Sequence, residues 1–231
     1  MIRRIASTLV LALVPALLQA QALTDAEREP LVQSLKMTHE KLMHMSEHLT
    51  AEQWNWKPAP DRWSVGEVAE HVLVTEQAFM ESLTGPFLES TVAVSEKADM
   101  PAERIAALMR DRSSKFQAPE AVTPTGRWSS QADFAKAFKE QRKGTITFAK
   151  SDADLHGHVY QNPVLGMLDG EQWLAFIAYH GERHVLQAEE VMHHDGFPEH
   201  DMDHAMDHEH DDDHEHQHQQ DHDKQHNEKH E

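Results

Sequence analysis

The chain has 231 residues and a formal net charge of −19, because its 40 acidic residues outnumber its 21 lysines and arginines. This excess of negative charge argues against nucleic acid and anionic membrane surfaces as partners, and it favours cations as ligands. The sequence contains no cysteine, which excludes a disulfide framework and a cysteine-linked lipid anchor. Any folded part must therefore be stabilised by an ordinary hydrophobic core.

The first 22 residues have the features of a signal peptide. Arg3 and Arg4 precede an uncharged apolar run over residues 5–18, and Ala20-Gln21-Ala22 provides a cleavage site. The run is shorter than the roughly 20 apolar residues that a membrane-spanning helix needs. We therefore expect a periplasmic or secreted protein without a stable membrane anchor, cleaved near Ala22. The paired arginines leave export by the twin-arginine route open beside the general route.

Residues 23–198 carry the signals of one helical domain. Thr24 and Glu27 form a capping box, and apolar residues follow at helical spacing to about Leu49. Pro30 lies near the start of this first helix, so the helix either begins there or bends there. A polar turn rich in proline is predicted to separate it from the next helix.

The second helix is predicted to start at Ser64, which forms a capping box with Glu67. His71 lies on the apolar stripe of this helix, which consists of Val68, Val72, Phe79 and Leu83. A shorter helix is predicted to open at Pro101, and a longer one is predicted to follow Ser129-Ser130 and to end near Lys150.

The last helix is predicted to run from an N-cap at Asp169 to a stop at Gly196 and Pro198. Its inward positions are Trp173, Ile177, His180, His184, Ala188 and Val191. The preceding residues 152–168 are predicted to be a connection, and no segment has the pattern of a β-sheet. The fold class is therefore predicted to be all-α, with four long helices, an extra short helix and loops.

His180 and His184 are four residues apart, so they project from nearly the same face of the last helix. That face is otherwise apolar, and an unpartnered polar ring pointing into the bundle is costly. His71 lies on an inward face in the same way. Three inward histidines from two helices fit one Zn²⁺, Ni²⁺ or Fe²⁺ ion and leave a coordination position open, as in catalytic zinc sites. A bundle whose histidines bind no metal is the alternative.

Three motifs stand in order along the chain. They are Trp63-Ser64-Val65-Gly66-Glu67-Val68 with His71, Asn162-Pro163 with Gly166, and His180-Gly181-Glu182-Arg183-His184 with Gln187. Over about residues 24–196 the chain thereby resembles the DinB-like metal-binding proteins, which are four-helix bundles and include bacterial thiol-dependent transferases. The resemblance implies that His71, His180 and His184 hold the metal and that the second and last helices lie side by side. The predicted signal peptide and tail depart from the usual cytoplasmic member, which weighs against a cytoplasmic low-molecular-weight thiol as co-substrate.

The sequence of the last motif differs from that of zinc proteases. In the motif H-E-x-x-H a glutamate general base follows the first histidine, whereas Gly181 stands there in this chain. The reversed form H-x-x-E-H fails too, because Arg183 occupies the place of its glutamate. A zinc protease of this type is therefore not expected.

Other polar residues near the three histidines are candidates for orienting an imidazole or for acting as a base. These candidates are Glu70, Glu76, Glu182 and Gln187, for each of which a solvated helix face is the alternative. The catalytic residues themselves stay unassigned. His39, His44 and His48 flank the apolar stripe of the first helix and are predicted to lie at the surface. No role is assigned to His156, His158, His193 or His194.

Residues 199–231 contain 10 histidines, 13 acidic residues and two lysines. Such a segment cannot form an apolar core, so we predict a disordered tail. Its imidazoles and carboxylates favour weak binding of Zn²⁺, Ni²⁺ or Cu²⁺, which would be released below about pH 6.

Two hypotheses follow from the sequence. In the first, the chain is a metal-dependent enzyme, a hydrolase or a thiol-type transferase, that acts on a small molecule. In the second, it is a periplasmic metal-handling protein that uses the tail. The sequence leaves the substrate, the metal and the choice between monomer and homodimer open.

Overall fold

The computed structural model describes residues 21–199. The predicted signal peptide and histidine-rich tail lie almost entirely outside the described residues. Within them the chain forms six α-helices and one hairpin, in the order α1 Asp25–His48, α2 Ala51–Asn55, α3 Val65–Thr84, α4 Ala102–Arg110, α5 Gln131–Ala149, β1 Tyr160–Asn162, β2 Gly166–Leu168 and α6 Gly170–Met192. Short 3₁₀ turns lie at Val94–Glu96 and Glu120–Val122. Across residues 21–199, no helix combines the length and apolar character that a membrane span requires.

Side-chain caps fix where the long helices begin, as the sequence predicts. Thr24 caps α1, Ser64 caps α3 and Asp169 caps α6, each within a capping box. In the α3 cap, the Ser64 hydroxyl accepts the N–H of Glu67 at 3.1 Å, and the Glu67 carboxylate accepts the N–H of Ser64 at 2.9 Å. These caps satisfy N–H groups that lack partners within the helix. Because α1 begins before it, Pro30 lies inside the helix rather than at its start.

Two elements differ from the predicted ones. α2 is a helix of five residues capped by Thr50, in a region where the sequence predicts only a polar turn. Residues 152–168, predicted to be a plain connection, contain the antiparallel pair of β1 and β2. The Asn162 side chain closes this hairpin, because its Oδ1 accepts the N–H groups of Val164 and Leu165. Both elements are too short for a helical or alternating pattern to develop over them.

The four long helices α1, α3, α5 and α6 form a bundle with α6 at its centre. α6 packs against α1, α3 and α4, while α5 packs against α1 and α3. Residues 172–179 of α6 are all buried, so this helix lies in the interior over about two turns. The fully buried core side chains include Leu31, Leu35, Leu73, Phe138, Trp173 and Leu174. The fold class is therefore the predicted all-α four-helix bundle, with α2, α4 and the hairpin between the long helices.

Candidate metal centre

Three histidines from the adjacent helices α3 and α6 converge inside the bundle, and we call them the histidine triad. One imidazole nitrogen of each of His71, His180 and His184 lies within 4.8 Å of those of the other two. The Nε2 atoms of His180 and His184 are 3.1 Å apart, and the ring centroids of His71 and His184 are 4.5 Å apart. His71 and His184 are buried and His180 is half-buried. The packing of α3 on α6 thus brings together three residues that helical spacing places on inward faces.

Hydrogen bonds at Nδ1 orient two of the three rings. His71 Nδ1 lies 2.8 Å from the carbonyl oxygen of Val122, and His184 Nδ1 lies 2.9 Å from Oε1 of Gln187. A carbonyl oxygen only accepts, so each Nδ1 carries the proton and donates. The Nε2 atoms of His71 and His184 therefore hold lone pairs, which are what a metal ion binds.

The surroundings of the triad keep its imidazoles uncharged. Burial lowers the pKa of His71 below its ordinary value, although the hydrogen bond to Val122 opposes this effect. For His180 and His184, burial lowers the pKa well below the ordinary value, and the charge that a neighbouring imidazolium would carry lowers it further. Neutral imidazole is the form that ligates metals, so the triad is competent to bind near neutral pH.

Aromatic rings form part of the wall around the triad. The Trp63 ring lies 4.9 Å from His71, while Phe79 and Phe176 lie 6.3 and 6.0 Å from His180, between ring centroids. These rings limit the access of water to one side of the imidazoles. A metal ion and its ligand would therefore meet a largely apolar wall there.

The donor set of the triad fits a divalent transition metal. Three neutral imidazole nitrogens suit Zn²⁺, Ni²⁺ and Fe²⁺, whereas Ca²⁺ and Mg²⁺ prefer oxygen ligands. The ligand-type atoms of the triad come from histidines alone. With three protein ligands, a fourth position stays available to water or substrate.

The four residues predicted to assist the triad have different surroundings. Glu70 is buried and accepts backbone N–H groups of residues 125–127. Glu76 is buried against Arg142, and Glu182 accepts from Arg110 at 2.6 Å. The alternative was that each of these residues lies on a solvent-exposed helix face. Glu70, Glu76 and Glu182 are instead buried. Gln187 is the one of the four that hydrogen-bonds directly to an imidazole of the triad, that of His184.

The histidines of α1 do not join the triad. His44 and His48 are exposed, as predicted, with ring centroids 4.3 Å apart. His39, also predicted to lie at the surface, is instead half-buried against Phe138, with ring centroids 5.5 Å apart. The prediction failed there because α5 covers that side of α1. Among the described residues, the buried Nδ1 of His39 has no hydrogen-bond partner.

A second group of ligand-type side chains lies at the first turns of α1 and α6. Glu27, His156 and Glu171 offer atoms within 4.8 Å of one another. The two ring nitrogens of His156 each lie 3.3 Å from a carboxylate oxygen, one of Glu27 and one of Asp169. Glu27 belongs to the capping box of α1 and Asp169 caps α6. Since Glu27 and Asp169, the two partners of His156, already serve as capping residues, we interpret the group as structural.

Two groups beside the triad are not predicted from the sequence. The Val122 carbonyl that holds His71 belongs to the backbone of an irregular segment, so no side-chain pattern marks it. Arg112 donates to both carboxylate oxygens of Glu190, and one of its nitrogens lies 3.5 Å from Oε1 of Gln187. Its position opposite α6 depends on how the chain folds back after α4. Neither contact could be found from spacing along the sequence.

Comparison with known proteins gives three matches. The model of the DinB superfamily matches residues 34–188, which include all three histidines of the triad. The uncharacterised protein YuaE of Bacillus subtilis (strain 168) is 26% identical over 144 residues, which cover 62% of this chain and 85% of that protein. The solved structure of YfiT from Bacillus subtilis, described as a probable metal-dependent hydrolase with an unusual four-helix bundle topology, is 16% identical. That likeness has a TM-score of 0.41 and covers 74% of this chain and 89% of the YfiT chain.

Proposed function

Because the chain belongs to the DinB superfamily, we propose that it is a metalloprotein that holds one divalent transition-metal ion on His71, His180 and His184. One observation carries this proposal. Three neutral imidazoles from two helices present nitrogens within 4.8 Å of one another. His180 and His184 bring two Nε2 atoms to 3.1 Å, where a metal ion bound by both rings would replace the hydrogen bond between them.

We further propose that the site performs chemistry on a small molecule, as a metal-dependent hydrolase or a thiol-type transferase. A bound divalent ion with an open position would supply a Lewis acid that lowers the pKa of a water or thiol. The protein would contribute the fixed imidazoles and the wall of Trp63, Phe79 and Phe176, which limits water. Each of the three buried glutamates forms an ion pair with an arginine and is therefore not free to serve as general base. These glutamates are Glu70, Glu76 and Glu182.

The metal content of purified variants tests the proposal. A chain ending after Pro198 removes the tail histidines, and Pro198 already lies beyond the last helix. We expect about one equivalent of metal in this shortened chain and close to none in its His71→Ala and His184→Ala forms, by elemental analysis. His39→Ala, which replaces a half-buried histidine outside the triad, is the matched control and should keep the metal. Equal retention in all four proteins would exclude the triad as the metal site.

A metal-handling role is the second candidate, and the composition of residues 199–231 favours it. Ten histidines among 13 acidic residues offer many weak sites for Zn²⁺, Ni²⁺ or Cu²⁺. If handling is the function, the shortened chain should lose most of the metal capacity of the full chain. An enzyme should keep both its single tight site and its activity after the same deletion.

We propose that the protein is exported and that its signal peptide is cleaved near Ala22. Arg3 and Arg4, the apolar run over residues 5–18 and the motif Ala20-Gln21-Ala22 support this proposal. N-terminal sequencing of protein recovered from the periplasm should find Leu23 first, whereas a chain that keeps residues 1–22 would contradict the proposal.

A further inference from the structure

Glu70 is a charged residue buried immediately before the metal-ligand candidate His71. Its side chain is 8% exposed, and its carboxylate accepts the N–H groups of Thr125 at 2.7 Å, Gly126 at 2.9 Å and Arg127 at 3.2 Å. Hydrogen bonds from backbone N–H groups to a carboxylate are shorter and stronger than those between neutral groups. Glu70 therefore fastens the segment of residues 119–127, which we call the anchored loop, to α3.

The anchored loop also supplies the carbonyl that orients His71. Val122 lies in its 3₁₀ turn, and the His71 Nδ1–H donates to the Val122 oxygen at 2.8 Å. Adjacent residues of a helix point about 100° apart, so Glu70 and His71 hydrogen-bond to the anchored loop at two separate points. The His71 imidazole and the Glu70 carboxylate are thus hydrogen-bonded to the same short segment of backbone.

Two further features make the anchored loop a rigid connection. The Arg127 guanidinium donates to Glu70 at 3.3 Å and also to the carbonyls of Thr123 and Ala121 at 3.4 and 3.3 Å. Gly126 has φ +75°, a left-handed conformation that turns successive N–H groups toward one anion. A displacement of residues 125–127 would consequently be passed on to Val122, three residues earlier in the loop.

We propose that Glu70 is a positioning residue of the metal centre. By fixing the anchored loop, it holds the Val122 carbonyl against Nδ1 of His71, so that the ring stays in the tautomer whose Nε2 carries the lone pair. The effect on metal affinity rests on the proposed function of the triad, whereas the effect on the tautomer is a property of the metal-free protein. Loss of a group that hydrogen-bonds a metal-ligating histidine directly typically weakens metal binding by about 10- to 100-fold. Glu70 acts on His71 through Val122, so we expect a loss near the lower end of this range.

The matched control is Glu182→Gln. Glu182 is also buried beside triad residues, and it also pairs with an arginine, Arg110, at 2.6 Å. Its partner lies on α4 and, among the described residues, makes no hydrogen bond to an imidazole of the triad. Glu70→Gln and Glu182→Gln therefore both remove a buried charge, but only the first loosens the support of His71.

The first measurement is the tautomer of His71 in the full, metal-free chain, read from ¹⁵N-resolved NMR of the imidazoles. The His71 signals are assigned by their loss in His71→Ala. We expect an Nδ1–H ring in the parent and in Glu182→Gln, and a substantial Nε2–H fraction in Glu70→Gln. An unchanged tautomer in Glu70→Gln would overturn the proposal.

The second measurement is the affinity of the full chain for Co²⁺, followed by its visible absorption in competition with a chelator that strips weak sites. We expect the affinity of Glu70→Gln to fall by about 10-fold and that of Glu182→Gln to stay near the parent value. Equal losses in both variants would mean general destabilisation and would overturn the positioning role.

If Glu70→Gln fails to fold, Arg127→Ala should show a smaller loss of Co²⁺ affinity. An affinity of Arg127→Ala equal to that of the parent would overturn the proposal. If the parent itself binds no Co²⁺ at the triad, the proposed function fails, while the tautomer still decides the role of Glu70.

Discussion

Two of the polar clusters in the bundle differ in how their polar groups are satisfied. In the first, Arg142 and Glu76 lie 2.7 Å apart with side chains 1% and 3% exposed. The Arg142 guanidinium also donates to the Leu35 carbonyl and to the Thr38 hydroxyl, and the Thr145 hydroxyl donates to Glu76. The second cluster is the histidine triad, in which two Nε2 atoms face each other at 3.1 Å.

The difference shows what each cluster is suited for. In the Glu76–Arg142 cluster the two charges are opposite, and the polar groups hydrogen-bond to one another. The cluster therefore connects α5 to α3 and α1 without a ligand. The triad consists of three imidazoles and includes no carboxylate. The proposed metal ion would bind the imidazole nitrogens that the triad brings together. The same bundle therefore contains one cluster that holds helices together and one whose imidazoles suit the proposed metal ion.

Breaking the first cluster should have the largest effect. Arg142→Ala leaves the Glu76 carboxylate buried without its partner, which typically costs about 3–5 kcal/mol of unfolding free energy. Urea unfolding should show this loss equally in metal-free and metal-loaded protein. The double variant Glu76→Leu with Arg142→Met, which removes both charges, should recover most of the loss. A loss below about 1 kcal/mol in Arg142→Ala would show that the cluster is not a buried charge pair of this kind.

Breaking the triad should have a smaller effect that depends on metal. At a free metal concentration 100 times the dissociation constant, a ligand that binds only the folded state adds about 2.7 kcal/mol to the unfolding free energy. We expect Zn²⁺ to stabilise the shortened chain by this amount and to have little effect on its His180→Ala form. Thermal unfolding with and without Zn²⁺ measures both. Equal stabilisation of the two proteins would place the metal elsewhere.

Acidification should weaken the metal-free protein through the triad. Burial holds the pKa of His180 and His184 well below the ordinary value near 6.5 that they regain on unfolding. The unfolded chain therefore binds protons first, so this contribution to stability is present above about pH 6.5 and is lost as the pH falls below it. Urea unfolding of metal-free protein between pH 7.5 and about pH 5 should show a steeper loss in the parent than in His180→Ala. Parallel pH profiles in the parent and in His180→Ala would contradict a lowered pKa of the triad histidines.

His156 should show a smaller effect of opposite sign. Burial lowers its pKa, but hydrogen bonds to Asp169 and Glu27 and the charges of these carboxylates outweigh burial, so its pKa is raised. Its contribution to stability is therefore complete below the unfolded pKa, and it is lost as the pH rises through the higher folded pKa. His156→Gln should flatten that part of the stability profile without changing metal content. A change in metal content would mean that this group also holds an ion.

The sequence predicted those features that depend on neighbouring residues. The capping boxes at Thr24 and Ser64 lie within four residues, and the spacing of His180 and His184 follows from one helical turn. The partners of the buried glutamates lie far along the chain. Arg127, Arg142 and Arg110 are 57, 66 and 72 residues from the glutamates that they pair with. Spacing could not show that Glu70, Glu76 and Glu182 would be buried.

Short elements escaped prediction for a related reason. α2 has five residues and each strand of the hairpin has three, so no periodic pattern can develop in them. The hairpin depends on one side chain, Asn162, and on Gly166 at φ +89°. The Val122 carbonyl beside His71 gave no signal at all, because every residue carries the same carbonyl.

Anomalous diffraction from crystals of the protein grown with Zn²⁺ would show directly whether the histidine triad binds the ion. Data collected on both sides of the zinc absorption edge locate the ion without reference to the tail. We expect one strong peak at about 2.0–2.1 Å from a nitrogen of each of His71, His180 and His184, and no peak there in crystals of His71→Ala. A parent crystal whose zinc peaks all lie away from these three imidazoles would contradict this expectation.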